Sequence, residues 1–370
     1  MRRFAAILVA LLSASLLILV APPAASWSEA PDPTWATCSQ QTIPVTVSAT
    51  DPTVYNVVGR LCLRNDFNRG SHAVQLLVSG LTYDHNYFNV SYDPNAYSYV
   101  YAATSLGYST FNIDRLGVGQ SDHPPSAKLT LQSHAFVVAQ IVKKLRAGAI
   151  GGRTFTVVAG VGHSFGAAVL QYLAGTATDA TSVPDYLVLA SFLMTTYAPG
   201  LTALGAALYP ATSDPAFASS GLDSGYLTTM PGTRGGIFYH GAGADPAIIP
   251  VDEATKQTGT VTERSSLGAA RSTAVTLAVK VPVLITVGQY DNLYCDEASG
   301  LTCATAAAVK AREASNWGPR ACLSTYVVVD AGHVSGLHIK ARDSYNSTLS
   351  WLDKYSIPGP IAKDANGCLP

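Results

Sequence analysis

Short apolar runs recur along this chain, separated by turn residues and by longer stretches with helical spacing. Two extended segments, Ile43–Ala49 and Val54–Leu63, flank Thr50-Asp51-Pro52 and predict a hairpin. Ala73–Val78 reads as a buried strand that runs into the turn signal Ser79-Gly80. A helical stretch near Tyr97–Leu106 precedes a strand at Ser109–Ile113. Between Leu131 and Arg146, Val137, Val138, Ile141, Val142 and Leu145 recur on one helical face. The alternation then repeats: strand Thr154–Ala159, helix Phe165–Leu173, strands Tyr186–Ala190, Val281–Val287 and Thr325–Val329, and a terminal helix near Arg342–Tyr355. Apolar strands alternating with helices predict an α/β fold, with a mostly parallel central sheet covered by helices on both faces. Residues 195–267 break the pattern. They are rich in Gly, Pro, Ala, Thr and Tyr and carry no strong strand signal. They read as a cap inserted over the carboxyl edge of the sheet, dividing a core of residues 27–194 and 268–370.

Composition narrows the picture. Hydrophobic residues make up 48% of the 370, enough for a sizeable core and against disorder of the whole chain. A formal net charge of −1 gives no electrostatic reason to expect nucleic acid or acidic lipid as a partner. Arg2 and Arg3, the apolar run Phe4–Val20 and the small residues and prolines of Ala21–Ser26 follow the order of a secretory signal peptide. Residues 1–26 are therefore expected to be removed near Ala24–Ser26. That leaves a secreted, extracellular chain with no stable membrane anchoring. Six cysteines in an exported chain read as disulfides, and local proximity suggests Cys38–Cys62, Cys295–Cys303 and Cys322–Cys368 among 15 connectivities. There is no C-x-x-C and no tight Cys/His cluster, which argues against structural zinc. Sequons stand at Asn89 and Asn346. Oligomeric state is not legible.

The sharpest chemical signal is Gly162-His163-Ser164-Phe165-Gly166, set between an apolar strand and a helix. A serine on such a strand–turn–helix projects its oxygen into a cleft, and the flanking glycines relieve crowding at the turn. The following amide, Phe165, sits at a helix amino end, where it can stabilise an oxyanion. Ser164 needs a base. His333 follows a strand in Tyr326-Val-Val-Val-Asp-Ala-Gly-His333 and so lies at the edge where open α/β sheets bind ligands. His338 is the competitor, and His163 is expected to pack inside the turn. The base needs a carboxylate. Asp291 ends an apolar strand, with Asp296 and Asp330 as alternates, and a Cys295–Cys303 bridge would brace the loop after Asp291. The loop Ser79-Gly80-Leu81-Thr82-Tyr83 should supply a second oxyanion donor, the Leu81 amide.

Together these residues resemble the α/β-hydrolase superfamily, over roughly residues 54–355, as a secreted, esterase- or lipase-like member with an inserted cap. Asp114-Arg115-Leu116-Gly117-Val118-Gly119-Gln120-Ser121 adds to the likeness, because it is similar to the D-x-x-G-x-G-x-S turn of many members, where glycines turn the chain and Asp and Arg brace loops. Many members carry His-Gly at the oxyanion loop; this chain has Ser79-Gly80. A serine rather than an aspartate at the elbow argues against haloalkane dehalogenase or epoxide hydrolase chemistry. The resemblance implies hydrolysis of a carboxylic ester or lactone through a Ser164–His333–Asp291 triad and an acyl-enzyme, with no metal or organic cofactor. The substrate expected is a small molecule with an apolar acyl group. Phe192, Met194, Tyr197, Tyr226, Met230, Phe238 and Tyr239 either face the cleft or form the cap's own core. A peptidase or amidase of the same fold, and a non-catalytic binding protein on a hydrolase scaffold, are the competing readings.

Overall fold

A computed structural model describes residues 30–64, 72–356 and 362–369; the expected signal peptide lies outside them. The strands are β1 (Thr37–Thr46), β2 (Val54–Leu63), β3 (Ala73–Val78), β4 (Ser109–Ile113), β5 (Val157–His163), β6 (Tyr186–Ala190), β7 (Leu208–Pro210), β8 (Tyr226–Thr229), β9 (Gly259–Thr260), β10 (Val283–Gly288) and β11 (Ser324–Val328). Eight form one sheet in the order β1-β2-β4-β3-β5-β6-β10-β11. β1 and β2 pair antiparallel, β2 and β4 antiparallel, and every pairing from β4 to β11 is parallel. The parallel strands therefore all end at one edge, which receives Ser79, Asp114, Ser164, Asp291 and His333 from successive loops.

Helices cover both faces. Leu76 and Val78 of β3 pack on one side with α1 (Leu131–Arg146) and α2 (Phe165–Thr176). Leu77 packs on the other with Leu349 and Leu352 of α3 (Ala341–Ser356). Every position of β3 and β4 is buried, so neither strand alternates between an apolar and an exposed polar face, and Gln75, Ser109, Thr110 and Asn112 are buried with their apolar neighbours. The three cysteine pairs suggested by proximity are disulfides.

Two strands depart from the sequence reading. The first hairpin strand begins at Thr37 and ends at Thr46, and Cys38 lies opposite its disulfide partner Cys62 in the β1–β2 register. β5 starts later than expected and runs through Gly160 and Gly162 to His163. Glycine is a poor strand former, but here helix α2 crosses close over the strand. A methyl added at Gly162 would stand 2.6 Å from the Ala167 nitrogen, and one at Gly160 would stand 2.9 Å from Leu170.

Between β6 and β10 the chain builds the helices Ala198–Ala207, Arg234–Phe238, Ile248–Ala254 and Val261–Ser266, and a second antiparallel sheet, β7-β8-β9. These strands are short and rich in Thr, Gly and Pro, so they left no apolar alternation to read. No helix among the described residues is long and apolar enough to cross a membrane.

Candidate active site

Ser164 occupies the turn between β5 and α2 at φ 50° and ψ −114°, a conformation disfavoured for any residue with a side chain. The turn is held by Ser164 N–H donating to the Ala190 carbonyl at 2.8 Å and by the Ser164 carbonyl accepting from Ala168 N–H at 3.0 Å. It is possible only because glycines flank it. Beyond the Gly162 contact, a methyl at Gly166 would overlap the Val78 carbonyl.

His333 follows β11 and is almost wholly buried. Its Nε2 lies 2.9 Å from Ser164 Oγ, and its Nδ1 lies 3.1 and 3.0 Å from the two oxygens of Asp291. Asp291 is fully buried and also accepts from Leu293 N–H at 3.1 Å. With a proton on Nδ1 facing the carboxylate, Nε2 presents its lone pair to the serine hydroxyl. The Asp291 loop is closed tightly: its carbonyl accepts from Tyr294 and Cys295, and the Cys295–Cys303 disulfide follows at once.

The alternates lie elsewhere. His338 Nδ1–H donates to the Val334 carbonyl at 2.9 Å, while its Nε2 accepts from the amides of Gly332 and His240 at 2.9 and 3.0 Å. Burial lowers its pKa to about 4, so it is a neutral brace under the His333 loop. His163 stacks on Tyr87 with ring centroids 4.0 Å apart and donates from Nε2 to the His333 carbonyl at 3.2 Å. Burial, and then the neighbouring His333, hold it well below the ordinary histidine range. Asp296 accepts from Ser299 N–H in its own turn, and Asp330 sits exposed in a tight turn after β11.

The loop after β3 approaches the serine closely. A methyl added at Gly80 would stand 3.1 Å from the Ser164 Cβ and 2.8 Å from His163 Nδ1. Arg115 donates to the Ser79 and Gly80 carbonyls at 3.0 and 2.9 Å. In a trans peptide the C=O and N–H point in opposite directions, so fixing the Gly80 carbonyl on Arg115 turns the Leu81 N–H the other way. Among the described residues, neither the Leu81 nor the Phe165 amide donates to another group of the protein.

A model of the alpha/beta hydrolase family matches residues 75–344, spanning the elbow, Asp291 and His333. This chain belongs to the alpha/beta hydrolase family. Similar solved structures include an esterase from Thermogutta terrifontis, at 17% identity and TM-score 0.52, covering 85% of this chain and 98% of that one. E-2-(acetamidomethylene)succinate hydrolase is similar at 17% identity and TM-score 0.53, over 85% and 100% of the two chains. A membrane phospholipase A, a bacterial virulence factor, matches at 14% identity and TM-score 0.53, over 85% and 86%. Identities this low speak to the shared fold. No curated protein matches the chain.

Two buried ion pairs hold the inserted segment of this alpha/beta hydrolase against the loop after β3. Arg115 pairs with Glu263, which also accepts from His134 Nε2–H at 2.8 Å, all three buried. Burial opposes ionisation of Glu263, but Arg115 and the His134 hydrogen bond outweigh it and lower the pKa to about 2. Above the loop, Arg234 pairs with Asp252 at 2.8 Å, reaches the Thr82 hydroxyl at 3.2 Å and lies 4.1 Å from the centre of the Tyr83 ring. Tyr83 and Tyr239 hydroxyls both donate to Asp252 at 3.1 Å. Thr82 N–H donates to the Thr258 carbonyl, and the Thr82 carbonyl accepts from Gln257 N–H. The motif arginine thus braces the loop, as the resemblance implied. Its carboxylate partner was not foreseen, although Thr260-x-x-Glu263 is a capping-box spacing that sequence could have flagged.

A cavity lies over Ser164 and His333, walled by Leu81, Leu204, Leu208 and Phe238 among others. Of the aromatic and methionine residues singled out in the sequence, Phe238 reaches it. Phe192 packs on Tyr294 and under Arg271, Tyr226 donates to the Pro124 carbonyl, and Met230 is exposed. Leu204 and Leu208 were missed because their run is uniformly apolar and small, with no periodicity. The Asp84, His85 and Asp114 side chains lie within metal-ligand spacing of one another, but Asp114 already accepts from the His85 and Gln120 amides and from the His85 ring. Asn89 of the first sequon is buried and accepts from the Ser98 hydroxyl at 2.7 Å; Asn346 is exposed.

Proposed function

We propose that this protein is a secreted serine hydrolase that cleaves carboxylic esters or lactones. The reading is carried by one observation: the unbroken chain from Ser164 Oγ through His333 to Asp291, with spacings of 2.9 and 3.0 Å. Ser164 Oγ attacks the acyl carbonyl carbon as His333 Nε2 takes the hydroxyl proton. Asp291 holds the imidazole in that tautomer and stabilises its charged form. The Leu81 and Phe165 amides receive the oxyanion. The carbonyl re-forms as the alcohol leaves with the proton from His333, giving the acyl-enzyme. Water, deprotonated by His333, then attacks the ester carbon, and Ser164 departs with the proton restored to its oxygen. Every group in this cycle is a side chain or backbone amide already in the site.

The test is hydrolysis of p-nitrophenyl acetate and of a small lactone by the mature protein beside Ser164→Ala, with fluorophosphonate labelling of the serine. Turnover and labelling that vanish together in the variant are the expected result. A wild-type protein that neither labels nor cleaves any ester refutes the reading.

A further inference from the structure

The cavity above the nucleophile is small, apolar and roofed by an element pinned at both ends. Its volume is about 20 Å³, room for one or two water-sized groups. Leu81, Leu204, Leu208 and Phe238 supply its apolar walls beside Ser164 and His333. Among the described residues, no Asp, Glu, Lys or Arg side chain lines it. Arg115 and Arg234, which brace the loop carrying Leu81, are buried against Glu263 and Asp252.

The roof is the helix Ala198–Ala207 with the strand β7 that follows it. At its start, Tyr197 N–H donates to the Leu293 carbonyl at 2.8 Å, and Gly200 packs so tightly on the Asn292 carbonyl that no side chain would fit. Asn292 and Leu293 directly follow Asp291, so the roof rests on the acid-bearing loop. At its end, Met230 N–H donates to the Ala207 carbonyl at 2.8 Å, and Leu208 pairs with Thr229 in the small sheet. A flap that swings open needs one free end or a flexible hinge; this helix is tied by backbone hydrogen bonds at both.

We propose that the substrates are esters of the smallest uncharged acyl groups, acetyl foremost, because the cavity holds only about one or two methyl-sized groups, and that Leu204 and Leu208 set that limit. The proposal rests on Ser164 being the nucleophile. The methyl of an acetyl group is on the scale of this cavity. A longer acyl chain must displace Leu204 or Leu208, which the anchored roof resists. Replacing either leucine by alanine opens the wall without touching the groups that react.

The experiment measures kcat/KM for p-nitrophenyl acetate, butyrate, octanoate and palmitate with wild type, Leu204→Ala and Leu208→Ala, alongside fluorophosphonate labelling of each. The ratio of octanoate to acetate is the readout, since it is unaffected by the fraction of folded enzyme. The wild type should favour acetate over octanoate by at least roughly tenfold, and at least one alanine variant should raise the octanoate-to-acetate ratio by roughly tenfold, the low end of what one methylene is worth in an apolar pocket. A wild type that cleaves octanoate or palmitate as well as acetate, or leucine variants that both leave the ratio unchanged, overturns the chain-length inference while leaving the serine-hydrolase reading in place. Absence of both labelling and turnover in the wild type overturns both.

Discussion

Replacing Glu263 by glutamine tests whether the buried pair with Arg115 holds the inserted segment on the core. The pKa of Glu263 is lowered from 4.5 to about 2 in the fold. A shift of that size corresponds to about 3 kcal/mol of stability at neutral pH. Because the folded pKa lies below the unfolded one, this stability is fully present above pH 4.5 and drains away as the pH falls toward 2. Glutamine keeps the shape but leaves the Arg115 charge buried without a counter-ion, which typically costs about 3–5 kcal/mol. Urea unfolding of the mature chain and of Glu263→Gln at pH 7, 5 and 4 separates the two contributions. The variant should be less stable by about 3 kcal/mol at pH 7, and the gap should shrink by about 1 kcal/mol by pH 4. Ester turnover should fall as well, since Arg115 also fixes the Ser79 and Gly80 carbonyls. A variant as stable as the wild type, or a gap that does not change with pH, refutes the reasoning.

Other outcomes follow from the same geometry. Asp291→Asn should keep the fold but reduce kcat by about 10⁴, because an amide donating to His333 Nδ1 stabilises the wrong tautomer; steady-state kinetics with a near-ultraviolet spectrum checks both halves. Gly166→Ala should not yield soluble protein, since its methyl overlaps the Val78 carbonyl, and the soluble fraction on expression measures this directly. His338 has its pKa lowered from 6.5 to about 4 by burial, so the unfolded chain takes up a proton that the fold excludes. Stability at pH 7 should therefore decline between pH 6.5 and 4, and His338→Gln should flatten part of that slope in denaturation curves.

The main sheet and the triad candidates were legible because a parallel sheet covered on both faces writes each strand as a short apolar run. Tyr186–Ala190 was read to the residue on that basis. The triad residues stood out because each ends such a run with a polar group. Where glycine does the packing, as in β5, the strand signal weakens and the boundary slips. The inserted segment was opaque for a different reason. Its order comes from buried polar pairs, Arg234 with Asp252 and Lys256 with Asp214, which have no periodicity and whose partners are distant in sequence. Its roof helix, Ala-Pro-Gly-Leu-Thr-Ala-Leu-Gly-Ala-Ala, is apolar almost all round. Composition alone therefore cannot say which of its leucines faces the nucleophile.

The loop that carries Leu81 is gripped from below by Arg115 and from above by Arg234 and Thr258. Its upper supports lie more than a hundred residues later in the chain, so the loop keeps its shape only while the inserted segment stays docked. A protease cut within residues 229–263 should therefore silence turnover before it unfolds the core.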